Sequence, residues 1–181
     1  GFTLHDIEHD GVRLRARRSG AGPPLLLLHG HPQTHAMWHA VAGPTREALS
    51  TRLLPQIRKV FQFKVGHIER YMVACYDAQD GGYFRPHRDD TTPGTAHRRF
   101  ACSINLNAED FEGGDLTFAE FGPKTYRPPT GGAVVFSCSL LHEATPVTRG
   151  KRYAFLPFFY DAEAAAIRAA NRGTFETAEE A

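Results

Sequence analysis

What this sequence lacks narrows the field first. It has no run of about eighteen apolar residues, the length a bilayer-spanning helix needs. The leucine run Leu25-Leu26-Leu27-Leu28, behind Pro23-Pro24 and closed by His29-Gly30, suits a buried strand and lies too far inside the chain for a signal-peptide core. Charge of one sign is lacking too: 21 Lys and Arg against 20 Asp and Glu leave a net charge of +1. That balance argues against a nucleic-acid-binding face and against a membrane-seeking one. Cysteine is scarce. Cys75, Cys102 and Cys138 make neither an even disulfide framework nor a Cys-x-x-Cys metal pattern, so we expect three small buried hydrophobes in a reducing, cytoplasmic setting. No Gly-x-Ser-x-Gly elbow occurs, which removes the nucleophile of a serine hydrolase. Repeats and low-complexity tracts are also missing, and 181 residues suffice for one domain with a sizeable core.

What is present is organised around Tyr83-Phe84-Arg85-Pro86-His87-Arg88-Asp89. The run reads as a β-strand, on which His87 and Asp89 project from one face while Arg88 points away. Downstream, Gly132 to Ser137 reads as another buried strand, followed by Leu140-Leu141-His142. His142 is the candidate third ligand. Two imidazoles and a carboxylate on one face of an ion, with positions left open, form the facial triad of non-heme Fe(II) oxygenases. Arg152 follows His142 by ten positions on what reads as the next strand, and its guanidinium offers a rigid fork for a carboxylate such as the distal one of 2-oxoglutarate. Taken singly, His142 is equally a satisfied core histidine and Arg152 an ordinary surface cation; the joint spacing favours the site.

These residues resemble the Fe(II)/2-oxoglutarate-dependent dioxygenases, in particular the prolyl 4-hydroxylase-like group, over about residues 45–172. The matching features are His87-Arg88-Asp89, then His142 with Thr145-Pro146-Val147-Thr148-Arg149-Gly150, and Arg152. Met72-Val73-Ala74-Cys75-Tyr76 before the triad and Glu112-Gly113-Gly114-Asp115-Leu116-Thr117-Phe118, similar to the family's Gly-Gly-acid-Leu hairpin, add support. The resemblance implies Fe(II) on His87, Asp89 and His142, with 2-oxoglutarate and O2 as cosubstrates and ascorbate keeping the iron reduced. It implies hydroxylation of a prolyl residue, another protein side chain or a small molecule, with release of succinate and CO2. Related enzymes often carry a Tyr on the strand 99–106 that also binds 2-oxoglutarate. Here Ile104 and Asn105 stand there, and Tyr76 and Tyr83 are the candidates for a second anchor.

The first 43 residues differ in character. Residues 2–8 and 12–17 alternate as two strands around the turn signal Asp10-Gly11. His29-Gly30-His31-Pro32 then resembles the opening of an α/β-hydrolase of the haloacetate dehalogenase type. We therefore expect a hydrolase-like fragment over 1–43, a dioxygenase domain over 44–172 and a tail over 173–181. Within the second part we expect a helix from residue 45 carrying the apolar stripe Leu49, Leu53, Ile57 and Val60, interrupted by Pro55. One strand from Ile68 to Tyr76, a mobile loop over the site at 90–97, a strand over 99–106 and a last helix over 161–171 follow.

Many short strands with Gly and Pro turns and few helices point to a mainly β fold, a double-stranded β-helix of jelly-roll or cupin type with flanking helices. The function expected is that of a 2-oxoglutarate-dependent dioxygenase without nucleic-acid or membrane partners. A catalytically inactive cupin-like binding module is the main rival, and a remnant hydrolase a lesser one.

Overall fold

A computed structural model describes residues 3–9, 12–18, 45–69 and 71–171. The chain divides into two compact units, residues 1–56 and 57–181. In the first unit, β1 (Thr3–His9) and β2 (Val12–Arg18) pair antiparallel with His9 opposite Val12, the hairpin that the alternation and Asp10-Gly11 predict. The strand expected at 25–28 and the hydrolase-like His29-Gly30-His31-Pro32 lie outside the described residues, as does the tail.

A helix begins at residue 45 and runs through a π-helical turn, Leu49–Leu53, into α1 (Leu54–Phe61). The wide turn has a local cause. Pro55 has no amide hydrogen and its ring crowds the carbonyl four residues back, and the Leu54 N–H reaches five residues back to the Leu49 carbonyl. The extra residue shifts the phase of the stripe, so Leu49 and Ile57 are buried but Val60, expected on the same face, is exposed.

The second unit is two antiparallel sheets. The larger contains β3 (His67–Glu69), β4 (Val73–Asp77), β6 (Phe100–Asn105), β10 (Ala133–Ser137), β13 (Lys151–Phe155) and β14 (Phe158–Tyr160). Strands β13 and β14 lie end to end, with β6 along one side and β4 and β3 along the other. The single strand expected over 68–76 is therefore two. Pro157, between β13 and β14, has no amide hydrogen to give the ladder, and pairing breaks where Phe155 faces Val73 and Phe158 faces Glu69. The smaller sheet runs β5 (Phe84–His87), β11 (His142–Ala144), β8 (Leu116–Thr117) and β9 (Thr125–Tyr126), and is extended by the pair β7 (Glu112–Gly113) and β12 (Val147–Arg149).

The two sheets meet through Ala101, Leu116, Phe118, Phe136, Cys138 and Phe158, a cluster drawn from both. This is the curled, mainly antiparallel architecture of a double-stranded β-helix. On β6 the apolar alternation Phe100, Cys102, Ile104 is not the inward set. Phe100 packs against the rings of Phe61 and Phe63 at 4.7 and 5.0 Å, while Ser103 and Asn105, both buried, turn toward the space between the sheets. The closing helix α2 (Ala162–Ala170) is capped by Asp161, whose carboxylate accepts from the Ala164 N–H at 2.8 Å.

The segment 90–97 is not a free loop over the site. The hydroxyls of Thr92 and Thr95 bond each other at 2.8 Å, the carbonyl of Pro93 accepts from Asn171 at 2.7 Å, and His97 is only 1% exposed. His97 bonds Glu69, which also takes Arg98 Nη2 at 2.8 Å. Burial works against the Glu69 charge, but the bonds from His97 and Arg98 outweigh it and hold the carboxyl below its ordinary range. Cys102 and Cys138 are buried, as expected, and Cys75 is exposed instead; all three are free thiols. Burial pushes the Cys102 thiol up to about 12.

Gly113 shows how tightly β7 meets β12. Its φ is +72°, and a Cβ there would stand 2.1 Å from the Pro146 carbonyl oxygen. Gly113→Ala should cost at least about 1–3 kcal/mol of stability, read as a lower urea midpoint with an unchanged slope.

Candidate metal centre

The local pairing of two strands builds the site. In the β5–β11 ladder His142 is the direct partner of His87, so both imidazoles rise from adjacent strands, their ring centroids 4.2 Å apart. Strand β5 stops at His87, and Asp89 sits in the turn beyond it, where its N–H donates to the Cys138 carbonyl at 2.9 Å. Arg88 points away, as the alternation requires: it bonds the Ser139 carbonyl and pairs with Glu120 at 2.7 Å.

The Asp89 carboxylate lies between the rings. Its Oδ1 is 3.3 Å from His87 Nε2 and its Oδ2 is 3.4 Å from His142 Nε2. One donor atom from each of the three residues falls within 4.8 Å of the others, a set that could hold a metal ion. The opposite ring nitrogens are engaged by backbone: His87 Nδ1 bonds the Arg85 carbonyl at 2.8 Å and His142 Nδ1 the Leu140 carbonyl at 3.0 Å. A carbonyl accepts only, so each Nδ1 carries the hydrogen and each Nε2 lone pair is left for an ion. Aromatic rings hold the imidazoles in place, Phe84 at 4.3 Å from His87 and Phe136 at 4.5 Å from His142. The donor chemistry, two imidazoles and a carboxylate without thiolate, fits Fe(II).

The environments of the two histidines differ. His142 is buried, which disfavours its cation and lowers its pKa despite the Leu140 carbonyl and Asp89. Burial also opposes the His87 cation, but the Asp89 and Arg85 hydrogen bonds and the Asp89 charge outweigh it and raise the pKa.

A cavity of about 250 Å³ opens beside the three residues, and Arg152, Tyr76, Ser103, Phe136 and Leu116 are among its walls. Arg152, on β13, is 3% exposed. Its Nε donates to Asn105 Oδ1 at 3.2 Å and its Nη2 to Ser103 Oγ at 2.8 Å. The Tyr76 ring lies under the guanidinium, 5.1 Å from centroid to carbon, because the two residues are direct partners in the β13–β4 ladder. Among the described residues no carboxylate forms an ion pair with Arg152; Asp115, whose charge reaches it, is held by Arg127 at 2.5 Å. Burial accordingly lowers the Arg152 pKa and raises that of the Tyr76 hydroxyl.

The Gly-Gly hairpin serves the same region. At Gly114, φ +67°, a Cβ would lie 3.0 Å from Arg152 Cδ, so the missing side chain makes room for the arginine stem. Of the residues expected at the site, the structure brings His87, Asp89, His142, Arg152 and Tyr76 around one cavity. Tyr83 is not among its walls; it is 47% exposed and its hydroxyl accepts from Arg85 Nε at 3.2 Å. Sequence reasoning missed Ser103 and Asn105 as site residues. The signal for them in the sequence is two polar residues at i and i+2 of the strand expected over 99–106, which share a face.

Residues 71–160 match the model of the 2OG-Fe(II) oxygenase superfamily. Among curated proteins the chain is 32% identical over 93 residues to a PKHD-type hydroxylase of a Synechococcus species, covering 48% of this chain and 41% of that one. It is 34% identical over 123 residues to a PKHD-type hydroxylase of a Polaromonas species, covering 63% and 49%. The chain thus spans about half, or less, of the length of these curated relatives. Among solved structures, a Trichoplax adhaerens prolyl hydroxylase in complex with a hypoxia inducible factor peptide fragment aligns with TM-score 0.54 and 20% identity over 71% of this chain and 59% of that one. A Burkholderia pseudomallei oxidoreductase of the 2OG-Fe(II) oxygenase family aligns with TM-score 0.51 and 20% identity over 65% and 57%. At these identities the structural likeness speaks for the fold. The α/β-hydrolase resemblance of residues 1–43 finds no support in these matches.

An ion entering the site must displace any proton on His87 or His142, and the raised pKa of His87 makes it the stronger competitor. Affinity for Mn(II), used as an air-stable probe, should fall with decreasing pH from above the ordinary histidine range, where His87 begins to take up its proton, by about tenfold per unit for each proton displaced. Calorimetric titrations across that range check this. Sequence match, fold and the His-Asp-His geometry together show that residues 71–160 belong to the 2OG-Fe(II) oxygenase superfamily.

Proposed function

We propose that this chain is an Fe(II)- and 2-oxoglutarate-dependent hydroxylase, with the metal held by His87, Asp89 and His142 and the distal carboxylate of 2-oxoglutarate by Arg152. The observation that carries this reading is a guanidinium 3% exposed, without a carboxylate partner among the described residues, in the wall of the cavity that the His-Asp-His set also lines. A buried cation without an anion is costly, and a dicarboxylate of the right length relieves that cost while presenting its oxoacid end to the metal.

The reaction balances as 2-oxoglutarate, O2 and R–H going to succinate, CO2 and R–OH, with one oxygen atom of O2 in each of succinate and the alcohol. Bound iron would supply the oxidising chemistry. The chain's own groups do the positioning. In the neutral rings the Arg85 and Leu140 carbonyls hold the hydrogen on Nδ1, which leaves both Nε2 lone pairs for the metal, and Phe136 and Leu116 supply apolar wall to the cavity. The Tyr76 ring supports the Arg152 guanidinium, and its hydroxyl is our candidate for a further contact with the oxoacid. Tyr83 has no part in this reading.

The substrate proposed is one with an accessible C–H bond, a prolyl or other protein side chain or a small molecule; the hydroxylase names of the relatives support hydroxylation as its fate. Ascorbate as the reductant that maintains Fe(II) belongs to the same proposal and rests on family likeness. Three free thiols fit a reducing compartment, and we assign the protein to the cytoplasm. Among the described residues no helix is long and apolar enough to cross a membrane.

Incubation of the iron-loaded protein with 2-oxoglutarate under ¹⁸O₂ tests the reading. We expect succinate carrying one ¹⁸O atom, formed slowly even without the second substrate, and a loss of at least about a hundredfold in Asp89→Ala. A protein that binds both metal and oxoacid yet forms no succinate, with candidate substrates present, would instead be a cupin-like binding module.

A further inference from the structure

The ladder that sets the two histidines opposite each other ends with them. Strand β5 stops at His87, so the turn carrying Asp89 and the connector 138–141 leading into His142 lie beyond its last pairing. Other bonds hold these two segments together. The Asp89 N–H donates to the Cys138 carbonyl at 2.9 Å, and the Ser139 hydroxyl to Asp90 Oδ2 at 2.5 Å. The remaining ties run through Arg88 and Glu120.

Arg88 stands between His87 and Asp89 in sequence and sends its side chain to the opposite face. Its Nη1 donates to the Ser139 carbonyl and its Nη2 to Glu120 Oε1 at 2.7 Å. The second oxygen of that carboxylate, Oε2, accepts from the Leu141 N–H at 3.1 Å, and Leu141 immediately precedes His142. One guanidinium and one carboxylate thus join the residue between the first two ligands to the residue before the third. Glu120 has a firm mounting for this. It sits on a single 3₁₀ turn, Ala119–Phe121, directly after Phe118, which is buried and packs edge-on against Phe136 at 5.0 Å.

As a surface ion pair the contact would matter little, because the two side chains are 37% and 40% exposed and solvent screens such pairs. Its distinction is that each partner also grips the backbone of the 138–141 connector, so the spacing of the ligands is restrained before an ion arrives. Resting on the proposed function, we propose that Arg88 and Glu120 are positioning residues for the metal, a clasp on the outer face that keeps His87 and Asp89 in register with His142.

Calorimetric titration of the apoprotein with Mn(II) tests this, with the urea midpoint of each metal-free variant measured beside it. Arg88→Ala and Glu120→Ala should each weaken Mn(II) binding by about tenfold, the low end for groups that orient ligands, while the metal-free midpoints move little. Glu120→Gln, which keeps an acceptor for the Leu141 N–H, should fall between the native chain and Glu120→Ala. The double alanine variant should lose less than the product of the two single losses, because the side chains act through each other. Arg149→Ala, which removes a surface pair of the same kind with Glu112, 2.8 Å apart on β12 and β7, should leave the affinity unchanged.

The sign of the change separates the clasp from plain electrostatics. By charge alone, removing a cation should raise the affinity for Mn(II) and removing an anion should lower it; the clasp predicts a loss in both. A gain in Arg88→Ala, unchanged affinity in both alanine variants, or a midpoint that collapses in both overturns the clasp and leaves the proposed function standing. Equal titrations of the native chain and His142→Ala would remove the metal site, and with it both the proposed function and the clasp.

Discussion

The site depends on one backbone register. Strands β5 and β11 pair so that His142 stands directly opposite His87, and both side chains then share a face of the smaller sheet. Because side chains alternate along a strand, a slip of one residue would send one imidazole to the other face. The register is held from outside the ladder as well. The Asp89 amide is tied to the Cys138 carbonyl at the end of β10, and the Val147 amide to the Gly82 carbonyl just ahead of β5. The neighbouring pair His87 and Asp89 and the distant His142 thereby converge, and the backbone carbonyls that fix the ring tautomers come from the same two segments.

Two buried charge systems in this domain are handled in opposite ways. Glu69, His97 and Arg98 are buried together, with the carboxylate bonded by the His97 ring and paired with the Arg98 guanidinium, so the Glu69 charge is compensated within the group, which ties the segment 90–97 to the large sheet. Arg152 is buried with only neutral partners, Ser103, Asn105 and the Tyr76 ring. A compensated cluster stabilises a fold, whereas a cation held by dipoles alone is poised to accept an anion. The contrast explains why the first has no opening beside it in the cavity and the second forms part of its wall.

Most of this site was legible in the sequence because its chemistry is dense and local. The His-x-Asp pair, the distal histidine and the arginine ten residues on lie on short strands whose periodicity places them without knowledge of the fold. The features that escaped have non-local causes. The strand expected over 68–76 is broken opposite Pro157, some eighty-five residues away. Val60 left the helical stripe because Pro55 enforced a wide turn. The tether of the 90–97 segment comes from Glu69 on another strand. The part played by Ser103 and Asn105 depends on the opposite face of β6, where Phe100 is covered by Phe61 and Phe63 and the polar pair is left to meet Arg152.

The central claim is that these residues form a competent iron and 2-oxoglutarate site. Anaerobic titration of the purified apoprotein with Fe(II) and 2-oxoglutarate, following the visible metal-to-ligand charge-transfer band, addresses it most directly, with His142→Ala as the control. The account predicts a band that saturates at one equivalent of iron in the native chain and is lost in the variant. A demonstrably folded native protein that develops no band, or a variant that retains it, would contradict the claim.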